Sequence, residues 1–421
     1  MSAPTGSSPA PTDAQEAAEA ATLLDALARA PAAAALVVAA LDRLDDRRAL
    51  RLAHPQLRDA VGEAMTKLEA NLYVHPTLWP TPRRWLRLEE LTITWPDLAA
   101  LKALGSGVWA SLRTLTLQYF FMGGLGAPAA RALAAALRRM PALRALQLWN
   151  VELSDAAAEE LFDSCRAEAA PRLRSLTVTA AKVTPAAARA LAATGWRLEE
   201  LNLRNNAGLG AAGVAALVAA PTFALRRLNL EHCSLDAAAL LALADAPWPL
   251  EELELDLNNF SAAAAGPALA ALSRHARLRV LNVSYCRLSA ASFRALVEAA
   301  WHTLTSLGAL GAEVALDGPH ALGAAAFAGF PALEELDLSS VRLGAAGAAL
   351  LAGRRWTRLV KLDLHSAWLG DAGVAALARG AWPALEVLDL RGNGLAAPPT
   401  LDDVRRWAPA LEELLVDGEE V

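Results

Sequence analysis

One pattern constrains this chain more than any other. Leu-x-x-Leu-x-Leu, with Val, Ile or Ala allowed in the last place, begins at Leu88, Leu112, Leu143, Leu173, Leu198, Leu225, Leu250, Leu278, Leu304, Leu333, Leu359, Leu385 and Leu411. The twelve spacings run from 24 to 31 residues, close to the period of a repeated strand–turn–helix unit. Clean copies are LEELNLRNN from Leu198 and LEVLDLRGN from Leu385. Behind each strand-like run comes a turn with Gly or Ser, then a helical stretch such as AAGVAALVAA or DAGVAALARG. The apolar period thus switches from two to about 3.6 inside every unit. One such unit cannot bury its own apolar face, so neighbours must stack and share a core. The expected fold is α/β: a right-handed solenoid, an arc of about thirteen βα units.

Composition fits a thin-walled stack better than a thick globule. Apolar residues make up 55 % of the 421 residues but aromatics only 5 %. Alanine fills much of the difference, and it favours helices while adding little bulk. A net charge of −6 argues against a nucleic-acid partner, which calls for a basic face. The longest apolar run, Ala32 to Leu41, ends at Asp42-Arg43, too short to span a membrane. MSAPTGSSPAPTDAQ at the N-terminus has neither a basic start nor an apolar run, so no signal peptide is expected. With three cysteines and no disulfide framework, a reducing cytoplasmic or nuclear setting is expected.

The repeat resembles ribonuclease-inhibitor-like leucine-rich repeats, and more closely their Gly-Ala-Leu-Ala-rich (GALA) variety. The likeness is carried by LGAAGVAAL from Leu209, LGAAGAALL from Leu343 and LGDAGVAAL from Leu369, and it covers about residues 80–421. It implies that Asn206, Asn258 and Asn393, with Cys233 and Cys286 in the equivalent place, turn inward to satisfy loop backbone. Of the three thiols, Cys165 falls outside that column and is expected to be the most accessible. Eight tryptophans (Trp85, Trp109, Trp196, Trp248, Trp301, Trp356, Trp382, Trp407) stand two to four residues before a repeat's first Leu. They are expected to pack at the helix-to-strand turn. Gly308 and Gly311 break the pattern of the ninth repeat, where a local irregularity is expected.

No motif points to catalysis. Gly208-Leu-Gly210-Ala-Ala-Gly213 is a literal GxGxxG after a strand, with Glu231 at the end of the next strand, the context of a dinucleotide fingerprint. Yet Gly344 with Gly347, and Gly370 with Gly373, repeat its second half in register, so the solenoid itself generates the match. His54, His75, His232, His275, His302, His320 and His365 are scattered without metal-ligand spacing, and no Ser sits in a nucleophile elbow. A non-enzymatic protein without cofactor or metal is expected.

The chain ahead of the repeats divides into a tail over 1–15, expected to be disordered, and a helical module over 16–75; the repeat domain takes 76–421. In the module Pro31 opens a helix with Leu36, Val37, Leu41 and Leu44 on one face. Asp45 caps the next helix, which carries Leu50, and Pro55 ends it. Leu57, Val61, Met65 and Leu68 form a third helical face at i, i+4, i+8 and i+11. Ala30 to Val61 resembles an F-box, the motif that docks the Skp-type adaptor of cullin–RING ubiquitin ligases. The matching positions are Pro31, the pair Leu36 and Val37, Leu41 and Leu44 leading into the central turn, Leu50, and Leu57 where an aromatic is usual. Alanines at 32–35 replace the acidic residues common there. The other reading is an amphipathic cap that shields the first repeat.

A partner would meet the concave face. Counting each repeat's first Leu as position one, positions three, five and seven point outward. They carry Glu252, Glu254, Asp256, Glu335, Asp337, Asp363 and Asp389, with Arg204, Glu231 and His365 at position seven. Trp149 is the large aromatic among them, and Tyr119 and Tyr285 stand one place further on, at the rim. Asp337, Asp363 and Asp389 would ladder, so a functional patch here implies a basic protein partner. The expected role is a substrate receptor, monomeric outside its ligase complex; the alternative is a stand-alone scaffold or inhibitor.

Overall fold

The computed structural model describes residues 67–71, 87–165, 173–311 and 322–417. The tail and the F-box-like positions Pro31, Leu36, Val37, Leu41, Leu44, Leu50 and Leu57 lie outside them. The described strands form one parallel sheet in strict sequence order. They are β1 (Lys67–Asn71), β2 (Glu90–Thr94), β3 (Thr114–Leu125), β4 (Ala145–Leu153), β5 (Ser175–Thr179), β6 (Glu200–Asn202) and β7 (Arg227–Asn229). There follow β8 (Glu252–Glu254), β9 (Val280–Asn282), β10 (Ser306–Gly308), β11 (Glu335–Asp337), β12 (Lys361–Asp363), β13 (Val387–Asp389) and β14 (Glu413–Leu415).

Register follows the leucine pattern, with one shift in the β3–β4 pairing between Gln118 and Gly123, past the leucine row. The second Leu of each repeat faces its counterpart, as in Leu201↔Leu228, Leu228↔Leu253 and Leu253↔Leu281. These leucines are fully buried or nearly so, because a one-residue slip would turn the whole apolar row to solvent. Consecutive helices pack on each other behind the sheet. Their buried positions are often alanine, as at Ala187, Ala188 and Ala190 of the helix Pro185–Ala192, so the helix seam is close and thin.

Two expectations need correction. The sequence spacing predicts a third helical face through Leu68, but Lys67–Asn71 is a strand, with Leu68 opposite Leu91. The sheet therefore has fourteen described strands and starts ahead of the boundary placed at residue 76. Met65-x-x-Leu68-x-Ala70 is a degenerate copy of the repeat motif, and its spacing of three passes equally for a helix. The second correction is Cys165, which is as buried as Cys233 and Cys286; all three are free. Burial pushes the Cys165 thiol up to about 11, and those of Cys233 and Cys286 up to about 12. Thiolate is the reactive form, so a disulfide-exchange reagent at neutral pH should label none of the three quickly. Denaturant should release all three, and rapid native labelling of Cys233 or Cys286 would break the register described above.

The inward column is as the repeat resemblance implied. Asn206 Oδ1 accepts from the amides of Ala181 and Val183, both at 3.0 Å, while Nδ2 donates to the carbonyls of Val178 and Leu203, both at 2.7 Å. Cys233 donates its Sγ–H to Leu203 O at 3.1 Å, and Cys286 to Leu255 O at 3.0 Å. The tryptophans Trp109, Trp301, Trp356 and Trp382 are buried, and each Nε1–H donates to the carbonyl five residues earlier. They close orphan C-terminal carbonyls of the preceding helices.

The glycine fingerprint is structural. Gly210, Gly344 and Gly370 open helices at φ 55, 61 and 56°. Each amide donates to the loop of the next repeat, at Cys233 O, Ala367 O and Asn393 O. A side chain at Gly213 would come within 2.4 Å of Leu209. The spacing thus serves turn and packing, three times over.

Candidate partner-binding face

Strand alternation exposes one row of side chains at position three and another at position five; the burial of β6, β8, β9 and β10 alternates accordingly. Position five has a local task. Asn202, Asn229 and Asn282 each accept, at 3.0 Å, the backbone amide two residues on. Asp337, Asp363 and Asp389 do the same at 2.9 Å, towards Ser339, His365 and Arg391. Asn and Asp are equivalent for this turn, so the fold needs the oxygen at 337, 363 and 389 but not the charge.

The three aspartates do ladder: Asp337 faces Asp363, and Asp363 faces Asp389, at a strand spacing of about 4.8 Å. Asp389 is buried and held by Arg391, whose Nη2 lies 2.6 Å from it, so its carboxylate is engaged within its own repeat. Asp363 has no such partner among the described residues. Its pKa is raised by burial, and further by Asp337 and Asp389, against the His365 amide. A second acidic group stands on the middle strands. Glu231 is buried and paired with Arg204 at 2.9 Å. Burial raises the pKa of Glu254, with Asp256, Glu252 and Glu231 adding to it against a hydrogen bond from Asn282. Asp256 is likewise raised by burial, and Arg204 offsets part of this.

A group whose folded pKa lies above its unfolded value opposes folding when ionised, and that penalty disappears as pH falls through the folded pKa. Asp363→Asn keeps the turn and removes the charge, so it should raise stability at pH 7 by about 0.5 kcal/mol. The gain should fade as the pH is lowered towards the ordinary carboxylate range. Denaturant melts of both proteins at several pH values would check this; a loss of stability at neutral pH would mean the charge is structurally required.

The rim differs from the expectation. Position eight lies in the left-handed region at Asn205, His232, Leu257, Tyr285, Ser340 and Ser366. Tyr285 and Leu257 are about half exposed there. Tyr119 does not share this turn, because β3 runs on to Leu125 with a register shift between Gln118 and Gly123. Its ring packs edge-on to Trp95 at 5.3 Å, and its hydroxyl donates to Pro96 O at 2.5 Å. Trp149 is exposed, 43 %, with Nε1 3.3 Å from Gln147. His365 is half-buried, and its Nδ1 has no hydrogen-bond partner. The exposed residues Leu257, Phe120 and Trp368 were not singled out in the sequence. Trp368 lies beyond the strand and not before it, with the Arg342 guanidinium 4.8 Å from its ring centroid.

The family model described as Leucine Rich repeat matches residues 198–218 and 357–378. The fold is a leucine-rich-repeat solenoid. No curated protein matches the chain. Among solved structures, it is similar to a chain of the yeast Rad7–Elc1 complex, with a TM-score of 0.50 and 16 % identity, over 97 % of this chain and 93 % of that one. That likeness concerns the fold. Among the described residues of the leucine-rich-repeat array, no group of three His, Cys, Asp or Glu is placed to hold a metal, and no helix is long and apolar enough to cross a membrane.

Proposed function

We propose that this chain is a protein-interaction module that acts as a substrate receptor: the open sheet face holds a basic target, and the F-box-like segment docks a Skp-type adaptor and its cullin. The observation that carries this is the charge at position five. Three aspartates stand where Asn202, Asn229 and Asn282 do the same structural work without charge, on a face that no described element covers. A chain of similar fold occurs in a two-protein complex, Rad7 with Elc1, which is support in kind. The alternative, a scaffold whose N-terminal segment only caps the array, is favoured by one observation: β1 ends the described sheet, and a sheet edge needs cover.

One co-purification experiment separates the two. Wild type should bring down adaptor and cullin, and Leu36→Ala/Val37→Ala should lose both while the array melts unchanged, since each unit contacts only its neighbours. Trp149→Ala should keep the adaptor and weaken the target by about 2 kcal/mol if the ring is an anchor. A wild type that never binds adaptor, with a double variant that melts several degrees lower, makes the segment a cap.

A further inference from the structure

Gly308 interrupts the position-five row between Asn282 and Asp337. With no side chain there, the face sinks into a hollow of about 240 Å³, walled by Glu254, Asn282, Ser306, Asp337, Lys361 and Asp363. A Cβ at Gly308 would stand 2.9 Å from Asn282 Oδ1 and 3.3 Å from Ser284 Oγ, so the glycine keeps the hollow open. Among the described residues, no Lys, Arg or His nitrogen, that of Lys361 included, lies within 4 Å of the carboxylates of the lining residues Glu254, Glu335, Asp337 and Asp363. Beyond the lining residue Ser284, at position eight, Tyr285 and Leu257 of the preceding repeat offer exposed apolar surface. Leu257 and Tyr285 hold left-handed φ of 58 and 54°, a conformation that costs bulky residues about 1 kcal/mol or more. Asn205 and Gly392 occupy the same place at lower cost. The Tyr285 ring lies across the next loop, where a side chain at Gly311 would come within 2.7 Å of it.

We infer that the Gly308 hollow is the anchor pocket of the partner-binding face. It takes the cationic end of one arginine or lysine from an extended segment of a protein partner, and an apolar neighbour in that segment lies on Leu257 and Tyr285. This rests on the reading that the open face receives a protein. Charge complementarity selects the occupant: the walls hold four carboxylates, Glu254, Glu335, Asp337 and Asp363, without a close cation, and the exposed Leu257 and Tyr285 suit a short apolar side chain.

The test is a selection of displayed random linear peptides on the full chain, followed by fluorescence anisotropy with one recovered, labelled peptide. Recovered peptides should share a basic residue beside an apolar one. Asp337→Asn/Asp363→Asn keeps both turn hydrogen bonds and should weaken binding about tenfold, and added salt should mimic that loss on wild type. Gly308→Leu should abolish binding; because that variant alone could misfold, the isosteric pair decides. Ser306→Trp obstructs this stretch whatever the ligand's charge. Binding lost with Ser306→Trp but unchanged in the Asn pair, or peptides without a basic residue, overturns the pocket and leaves the open face standing. Binding unchanged in both variants overturns the pocket and the face together.

Discussion

Asn258→Ala should be among the most damaging single substitutions in the array. Its Oδ1 accepts the amides of Cys233 at 3.1 Å and Leu235 at 2.9 Å. Its Nδ2 donates to Leu230 O at 2.9 Å and Leu255 O at 2.7 Å. Truncation strands two donors and the Leu230 acceptor, and leaves Leu255 O with only the weak Cys286 Sγ–H donor, in a place that is 5 % exposed. Each buried unsatisfied group costs about 1–3 kcal/mol, so a total near 5 kcal/mol is expected once some relaxation is allowed. The chain supplies its own control. Cys233 and Cys286 fill the same place with one donor each, so Asn258→Cys should lose clearly less than Asn258→Ala. Denaturant titrations of the three proteins test the order; equal losses would mean that volume, not hydrogen bonding, governs the column.

Trp382→Ala should come next, at about 3–5 kcal/mol. The ring is 1 % exposed, stacks on Trp356 at 6.3 Å, and meets Trp407 at 6.4 Å. Its Nε1–H closes the Leu377 carbonyl at 3.0 Å, so the variant loses ring packing on two sides and frees a helix-end acceptor. Trp248 is comparably buried, but its Nε1 has no partner, so Trp248→Ala should cost less. If both cost the same, the helix-closing bond adds nothing. Both should first loosen their own repeats, visible as local hydrogen exchange before the whole array melts.

Much of this was legible because a leucine row fixes register and face together. Thirteen first leucines placed thirteen strands, and the inward Asn/Cys column was implied by the resemblance to leucine-rich repeats. What escaped has physical reasons. The motif around β1 has Met65 and Ala70 where most other repeats have leucine. β3 overruns its turn through Tyr119 and the residues after it. Gly123 makes room for that, since a side chain there would come within 2.3 Å of the Tyr119 ring. The burial of Cys165 depends on helix packing that no strand pattern encodes. Gly308 read as a defect because a missing side chain carries no motif, yet β10 keeps its pairing on both sides. Of the candidate face, the ladder of Asp337, Asp363 and Asp389 was legible from alternation. The engagement of Asp389 by Arg391 and of Glu231 by Arg204 was not, since it depends on where long side chains reach.

The unevenness of the inward column has a mechanical consequence. Asn206 and Asn258 grip the neighbouring loop in both directions, and Asn393 does so between Leu369 N and Leu364 O. At Val341 and Ala367 the same place is apolar and offers no such grip. Strands from β6 onward are only three residues long, so neighbouring repeats there are joined by a short ladder, loop backbone bonds such as Gly344 N to Ala367 O, and helix packing, without the side-chain clamp. Pulled at its ends, the arc would tear first along this scored stretch, downstream of Gly308 and short of Asn393. A ligand spanning the hollow would sit across the upstream end of that line like a splint, and would make the array stiffer as well as occupied.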